Sequence, residues 1–168
     1  MEVAICDICL KRGMLCPSCE KRLKEGKISQ LDVDVANLLY SLSTTYKGLN
    51  HIVLKRSFDA GDVIILGTAP QDVGILIGRG GKIVKILSEK LGKRVRVVGE
   101  SSDYSEVVRD LLSPVPILGI NVLYPPGENE KYKIRISKKD ATRMPGDIET
   151  LQKVLINLTG KDMILSVE

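Results

Sequence analysis

The hydrophobic and polar positions in the central part of the chain follow helical and strand periods in turn. Between residues 32 and 47, apolar side chains recur at helical spacing, which predicts an amphipathic helix that ends at Gly48. Its apolar face comprises Val35, Leu38, Leu39, Leu42 and Tyr46. The elements predicted after it are strands over residues 51–57 and 62–67, helices over 70–77 and 82–91, and a strand over 93–98.

The rest of the chain repeats this order of elements. The pattern predicts a helix over residues 103–112, strands over 117–124 and 131–137, helices over 139–144 and 148–158, and a strand over 163–167. A shift of 68 residues places Gly92 on Gly160, which indicates an internal duplication. The two copies differ between the two predicted helices, where residues 78–81 are glycine-rich and residues 146–149 are not.

All four cysteines lie near the N-terminus, in the pairs Cys6-x2-Cys9 and Cys16-x2-Cys19. Each pair predicts a tight turn that presents two thiolates to one ion, and two pairs supply the sulfurs of a tetrahedral Zn2+ site. We expect no disulfides, because the first apolar stretch is too short for an export signal. Four unrelated free thiols would rarely fall into this spacing. The sequence therefore predicts one structural zinc ion, since four thiolates leave no open position for water.

The cysteine-rich segment is expected to be a small module. We predict a short hairpin between the two pairs, with a turn at Gly13, and a short helix after Pro17. Such a module has almost no core, so its folding is expected to depend on the metal. Four thiolates and one ion carry a net charge of about −2, which cancels the basic charge of the segment. Docking to a nucleic acid and docking to a protein are therefore equally open for it.

Composition sets limits on the class of protein. Hydrophobic residues make up 43% of the 168 positions, enough for a core, and the core must be aliphatic because Trp is absent and Phe58 is the single Phe. The apolar runs are too short for a membrane span. The net charge of +4 is unevenly distributed: residues 79–96 hold seven basic residues and one acidic residue. Such a block is also typical of a solvated helix face, so it indicates a polyanion partner only beside a binding motif.

That motif is the segment Gly78-Arg79-Gly80-Gly81, which precedes the predicted helix over residues 82–91. Without Cβ atoms, the glycines let a phosphate backbone approach free amides at the positive end of the helix. Arg79 adds a donor fork and Lys82 adds a charge. The spacing fits neither the Rossmann nor the Walker A pattern, and a plain turn between helices needs fewer glycines. Three apolar neighbours can form a floor for bases: Ile75, Ile77 and Ile83.

The segment from Ile77 to Ile83 resembles the I-G-x-x-G-x-x-I signature of KH domains, whose loop holds single-stranded nucleic-acid backbone. The order of elements resembles the type II KH order, and two such units in succession resemble the tandem KH pair of archaeal NusA-like transcription factors. The resemblance implies an α+β fold with an intact KH domain over residues 29–100 and a degenerate one over 101–168. The zinc knuckle or ribbon that the cysteine spacing predicts precedes them, over residues 1–28. The residues expected to bind RNA are Ile77, Gly78, Arg79, Gly80, Gly81, Lys82, Ile83, Lys85, Arg94 and Arg96.

The second unit departs from the family signature. It has Met144-Pro145-Gly146-Asp147-Ile148-Glu149 where the family has its second glycine loop. Asp147 and Glu149 would repel phosphate, and Pro145 has no amide to donate. We therefore assign no RNA contacts to this loop and expect the unit to support the first one or to bind protein. The zinc module also lies outside the core pattern of the family.

These features lead to a hypothesis of a cytoplasmic, NusA-like factor that binds single-stranded RNA. In that hypothesis it acts in transcription elongation or termination on nascent RNA, with RNA polymerase as its protein partner. The alternative is a ribosome-associated or RNA-processing protein, since KH domains and small zinc modules both occur there. We expect no enzyme, because His51 is the single histidine and no nucleophile–base pair stands out. We expect neither a small-molecule substrate nor a membrane partner.

Overall fold

The computed structural model describes residues 1–168, apart from the side chain of Lys55. Its chain divides into two compact units. The first comprises Met1–Asp59 and Ile64–Gly99, and the second comprises Ala60–Val63 and Glu100–Glu168. Both contain helices and strands, which confirms the predicted mixed α+β class. Among the described residues, no helix has the length and apolar character that crossing a membrane requires.

The N-terminal segment folds into two short helices, α1 (Asp7–Arg12) and α2 (Pro17–Lys24). Gly13 ends α1 with a φ of 70°, which glycine adopts without steric cost. Pro17 begins α2, where a helix needs no N–H donor. The predicted turn and helix are therefore confirmed. The expected hairpin between the cysteine pairs is wrong, because the intervening residues form helical hydrogen bonds such as Gly13 N to Cys9 O (2.9 Å).

Helix α3 (Gln30–Leu42) begins at a reciprocal capping box. The Ser29 hydroxyl accepts a hydrogen bond from Asp32 N (3.1 Å), and Asp32 Oδ2 accepts one from Ser29 N (2.9 Å). The helix ends at Leu42 rather than at residue 47. The Ser43 hydroxyl donates to a carbonyl of the last turn (2.6 Å), which offers the backbone an alternative to continuing the helix. The chain then enters a 3-10 turn, Lys47–His51.

The first unit contains one three-stranded sheet and two further helices. The sheet has the order β1 (Leu54–Asp59), β2 (Val63–Thr68), β3 (Arg94–Gly99), and β1 is antiparallel to β2. The two helices between β2 and β3 are α4 (Val73–Ile77) and α5 (Lys82–Leu91), and both pack against β3. The Ser88 hydroxyl joins α5 to β3, because it donates to Val84 O (2.8 Å) and accepts from Val95 N (3.1 Å).

The core of the first unit is aliphatic, as the composition predicts. The helices α3, α4 and α5, the 3-10 turn, β1 and β2 all contribute to it. Its buried members are Val35, Leu39, Leu49, Ile52, Leu54, Ile64, Leu66, Leu76, Ile83 and Leu87. Burying one such side chain contributes about 1.5–3 kcal/mol. The core therefore holds α4 and α5 in place and fixes the ends of the short segment that joins them.

The second unit repeats the arrangement with another set of elements. These are α6 (Tyr104–Leu112), β4 (Ile117–Leu123), β5 (Lys131–Ile136), α7 (Ile148–Thr159) and β6 (Asp162–Val167). In the sheet, β5 lies between an antiparallel β4 and a parallel β6. β2 and β5 start 68 residues apart, as do β3 and β6. The helix predicted over residues 139–144 is only a 3-10 turn, Ala141–Arg143, because Pro145 disfavours helical backbone in the residue before it.

Candidate nucleic-acid interface and metal centre

The two cysteine pairs occupy equivalent positions at the starts of two helices. Cys6 and Cys16 are the N-cap residues of α1 and α2, with the same backbone angles, φ −75° and ψ 164°. Cys9 and Cys19 lie in the first turn of the same helices. The C-x2-C spacing therefore directs both thiols of a pair to one side of a helix end. All four Sγ atoms lie within 4.8 Å of one another.

The four sulfurs fit the donor set of a tetrahedral metal site. Cys6 Sγ lies 3.4 Å from Cys9 Sγ and 3.9 Å from Cys16 Sγ. A tetrahedron with metal–sulfur bonds of about 2.3 Å places its sulfurs about 3.8 Å apart. Two backbone amides also donate to sulfur: Cys16 N to Cys9 Sγ (3.0 Å) and Cys19 N to Cys16 Sγ (3.5 Å). Amides placed in this way stabilise thiolates, so the cluster is compatible with a metal site.

The thiols of the cluster differ in acidity. The backbone N–H of Cys19 is the main cause that lowers the pKa of Cys16 to about 7. The backbone N–H of Cys9 likewise lowers the pKa of Cys6. Burial instead raises the pKa of Cys9 to about 12. Of these three thiols, Cys9 therefore has the greatest need of a nearby cation, such as a metal ion, in order to ionise.

The cysteine cluster shares its apolar core with α3, which the cysteine spacing does not indicate. The buried residues of this shared core are Ile5, Cys9, Leu10, Cys19, Ile28, Val33 and Ala36. A short backbone pairing adds a second connection: Glu2 N donates to Ile52 O and Leu54 N donates to Glu2 O, each at 2.9 Å. The helices that carry the cysteines are thus joined to the rest of the first unit through the start of α3 and the edge of β1.

The second candidate site is the glycine loop, residues 78–81, between α4 and α5. Gly78, Gly80 and Gly81 have φ values of 78°, 63° and 75°, a range that L side chains rarely adopt. Gly81 is the N-cap residue of α5, and none of the described side chains caps that helix. Gly81 N donates to Gly78 O (3.0 Å) and Lys82 N to Arg79 O within the loop, and no described side chain caps the helix amides that follow them.

The three glycines of the loop have different steric surroundings. A Cβ at Gly78 would lie 2.8 Å from Ile83 Cγ1, so this position has no room for a side chain. A Cβ at Gly80 would meet nothing within 4 Å, and one at Gly81 would only touch Val84 Cγ1 at 3.8 Å. Gly78 therefore packs against α5, whereas Gly80 and Gly81 leave open space in which another molecule can approach the backbone.

The cations around the loop have no acidic partners in the described part of the chain. Arg79, Lys82 and Lys85 are exposed and form no ion pair with any described residue. Several cations elsewhere are paired, for example Lys131 with Glu128 (2.6 Å) and Lys153 with Glu149 (3.2 Å). Because none of the described carboxylates neutralises the loop cations, this end of α5 carries an uncompensated positive charge.

The other predicted binding residues lie on β3 and around the start of α5. Arg94 is exposed on β3, and Arg96 follows it two residues later, half-buried. Burial, and next the charge of Arg94, lower the pKa of Arg96. Ile77 is half-buried at the end of α4, whereas Ile83 belongs to the core and is 5% exposed. Ile83 therefore packs in the core next to the loop and does not form part of the loop surface.

One contact at the loop is absent from the sequence-based prediction. The Lys82 ammonium lies 5.8 Å from the ring centroid of Tyr46, a residue that follows α3 in the chain. The pattern of apolar positions places Tyr46 on the core face of a helix. The structure places it beyond the end of that helix, where it still packs partly against the core and also lies beside the first residue of α5. No local sequence signal connects residues so far apart in the chain.

The corresponding segment of the second unit has another structure. Asp147 is the N-cap residue of α7, and its carboxylate accepts hydrogen bonds from Thr150 N (2.9 Å) and Thr150 Oγ1 (2.8 Å). The Thr150 hydrogen bonds are the main cause that lowers the pKa of Asp147. The helix also begins earlier, since Ile148 and Glu149, which correspond to Gly80 and Gly81, are already helical. An internal carboxylate thus occupies the helix end that a phosphate would need.

Comparison with known proteins gives partial matches. No protein-family model matches the chain. A Methanocaldococcus jannaschii protein described as "Probable transcription termination protein NusA" is 39% identical over 46 residues, 27% of this chain and 25% of that protein. Small ribosomal subunit protein eS7 of Candida albicans is 28% identical over 80 residues, 48% of this chain and 43% of that protein. Protein eS7A of Saccharomyces cerevisiae is 29% identical over 80 residues and 42% of its own length. The chain thus spans less than half of each of these relatives.

Among solved structures, the crystal structure of APE1850 is similar to this chain. The two align with a TM-score of 0.53 and 26% sequence identity. The alignment covers 76% of this chain and 96% of that chain. The similarity therefore includes most of the residues described here and nearly all of the other protein.

Proposed function

We propose that this chain binds single-stranded RNA through the glycine loop and that its first unit is a type II KH domain. The observation that carries the proposal is the loop itself, with three glycines at the start of α5 beside cations that form no ion pair with any described carboxylate. Free amides at a helix start and exposed Lys or Arg side chains both bind phosphate. The G-x-x-G loop of a KH domain holds the backbone of about four nucleotides in this way.

The order of elements and the comparisons support this proposal. In the first unit, a helix and two strands precede α4, the loop, α5 and the last strand, which is the type II KH order. The matched relatives are named for transcription termination and for the small ribosomal subunit, a process and a particle that both involve RNA. RNA is therefore the polyanion that we assign to the uncompensated charge around the loop.

The second unit is proposed to be a degenerate KH domain without an RNA site at its α7. Its sheet and its last helix repeat the first unit, but Asp147 caps the helix start. The Asp147 carboxylate accepts the amide hydrogen bond at the helix start, where a phosphate would bind, and its negative charge repels phosphate. We propose that this unit supports the first one or binds protein.

We propose that Cys6, Cys9, Cys16 and Cys19 hold one structural Zn2+. When bound, the ion neutralises thiolate charge and cross-links the two helix ends that carry the ligands. We propose a structural role for this ion and no catalytic reaction at this site or elsewhere in the chain.

The proposed biological role is in transcription, on nascent RNA beside RNA polymerase in the cytoplasm. The 39% identity with the NusA protein over 46 residues supports this role. The matches to eS7 proteins over 80 residues support a second candidate, a role on the ribosome or in RNA processing. Affinity purification of the tagged chain after ribonuclease treatment separates the two. Retained polymerase subunits would support the first role, and retained small-subunit proteins would support the second.

The RNA-binding proposal is tested with two double variants of the loop. Gly80→Asp with Gly81→Asp places two carboxylates where phosphate would lie. Gly80→Asn with Gly81→Asn has nearly the same size and tolerates positive φ equally well, but adds no charge. Binding to a short single-stranded RNA library is measured at two salt concentrations. We expect salt-sensitive binding by the wild type, little loss in the Asn variant and abolished binding in the Asp variant. Equal binding by the wild type and the Asp variant would contradict the loop mechanism.

A further inference from the structure

A second surface adjoins the glycine loop, on the segment that follows α3. Tyr46 is half-buried and lies just before the 3-10 turn Lys47–His51. Its ring centroid is 5.8 Å from the ammonium of Lys82, the first residue of α5 after the loop. This distance is within the range of a cation–π contact. The segment after α3 therefore meets the loop at the point where the cations of α5 begin.

The same segment also contacts the helix before the loop. A Cβ at Gly48 would lie 3.3 Å from Ile75 Cγ2, so the backbone at Gly48 lies close against the Ile75 side chain. Ile75 remains 36% exposed. Tyr46 thus contacts α5, and Gly48 contacts α4. The glycine loop joins those two helices.

The residues of this surface have a composition suited to a nucleotide. It combines an aromatic ring at Tyr46 with an exposed apolar side chain at Ile75 and an exposed cation at Lys47. Like Lys82, Lys47 forms no ion pair with any described residue. Proteins that bind single strands use this combination, since cations follow the backbone and aromatic rings contact the bases.

We infer that the RNA contact extends from the glycine loop onto Tyr46, Lys47 and Ile75, and that a nucleobase lies against the Tyr46 ring. This inference rests on the proposed function, because the loop must first hold the backbone. The nucleotide beside the loop-bound phosphates then places its base on Tyr46 and Ile75. Lys47 and Lys82 contact the flanking phosphates.

The test uses a single-tryptophan reporter, because the natural chain contains no Trp. Tyr46→Trp places an indole at the inferred contact. Tyr40→Trp is the matched control, since Tyr40 is a 36% exposed tyrosine on α3 that makes no ring contact with a lysine among the described residues. Binding of a fluorescently labelled oligoribonucleotide is followed independently by anisotropy. We expect the indole emission of the Tyr46→Trp variant to be quenched in proportion to binding, whereas the emission of the Tyr40→Trp variant stays constant.

A second pair of variants measures the contribution of the ring. Tyr46→Phe keeps the ring, and Tyr46→Leu removes it while keeping an apolar side chain. We expect Tyr46→Phe to bind within about twofold of the wild type and Tyr46→Leu to bind about 5- to 150-fold more weakly, the range for loss of one base–aromatic contact. Circular dichroism checks that both variants are folded.

The outcomes separate this inference from the function on which it rests. Anisotropy that shows binding by the Tyr46→Trp variant without quenching of its indole overturns the inference and leaves the loop mechanism in place. Equal quenching in the Tyr46→Trp and Tyr40→Trp variants also overturns it, because the contact would then not be specific to this surface. Absence of binding by the wild-type chain overturns the proposed function, and the inference with it.

Discussion

Gly78 and Ile83 touch where the glycine loop meets α5: a Cβ at residue 78 would lie 2.8 Å from Ile83 Cγ1 and 2.9 Å from Ile83 N. Ile83 is a buried core residue, so moving it would disturb the side chains packed around it. Gly78 also has a φ of 78° and a ψ of 168°, a combination essentially restricted to glycine. The first glycine of the loop is therefore required by packing, and the next two leave the backbone accessible.

We predict that Gly78→Ala lowers the free energy of unfolding by about 2–4 kcal/mol, since the variant adds both backbone strain and overpacking. Gly80→Ala is the matched control, because it has the positive φ without the steric conflict and should lower that free energy by only about 1–2 kcal/mol. Urea unfolding monitored by circular dichroism measures both values. Equal effects of the two substitutions would show that the contact with Ile83 relaxes freely.

We predict that Lys82→Gln and Lys85→Gln each reduce the salt dependence of RNA binding. Each lost phosphate contact should lower the slope of log K against log salt by about 0.7 for a single strand. Lys153→Gln serves as the control, because Lys153 is exposed on α7 and already paired with Glu149. Fluorescence anisotropy over a series of salt concentrations gives the three slopes. A wild-type slope in both loop variants would exclude these lysines as phosphate ligands.

We predict that removal of metal from the four-cysteine site affects β1 and α3 as well as the N-terminal helices. The helices that carry the cysteines bury Val33 and Ala36, and Glu2 accepts a hydrogen bond from the Leu54 amide. In the chelated protein, the Leu54 amide should therefore exchange its hydrogen about tenfold faster or more, because its partner detaches. Hydrogen exchange followed by NMR measures this rate. The Leu155 amide, in α7, is the internal reference and should not change.

The metal prediction has a direct chemical control. Cys19→Ser removes one ligand, and Ser18→Ala changes the preceding exposed residue without touching the donor set. Metal analysis of the purified proteins should give one zinc per chain for the wild type and Ser18→Ala, and much less for Cys19→Ser. A wild-type zinc content in Cys19→Ser would contradict the four-thiolate site.

We predict an acid-dependent contribution of Asp147 to the stability of the second unit. The hydrogen bonds from Thr150 lower the pKa of Asp147 in the folded state. Its stabilisation is therefore fully present above the ordinary Asp pKa of about 3.9 and is lost as the pH falls through the lowered folded-state pKa. Asp147→Ser retains a capping oxygen that does not titrate in this range.

Thermal unfolding between pH 2 and pH 7 compares Asp147→Ser with the wild type. We expect the wild type to be more stable at neutral pH and the difference in Tm to shrink in acid. A difference that stays constant over the whole pH range would show that the charge of Asp147 does not contribute.

The features that the sequence predicts well are local ones. Gly13 ends α1, Pro17 begins α2 and Gly92 ends α5. The sequence predicts these boundaries because the backbone preferences of glycine and proline depend on few neighbours. The C-x2-C spacing places two thiols at one helix end, and the repeat with its 68-residue shift gives the strands of the second unit. The glycine loop is recognisable for the same reason, since its chemistry lies in consecutive residues.

The remaining features depend on contacts between distant parts of the chain, which no local pattern encodes. The residues between the cysteine pairs form a helix whose apolar side packs on α3, so the small module gains a core that its own length does not provide. Ile83 is buried under the loop, and Tyr46 reaches Lys82 from beyond the end of α3. The sequence by itself thus determined most of the elements, the cysteine cluster and the loop, because these follow from short-range conformation. Only the tertiary structure decided which side chains surround them, because burial and proximity result from packing across the whole unit.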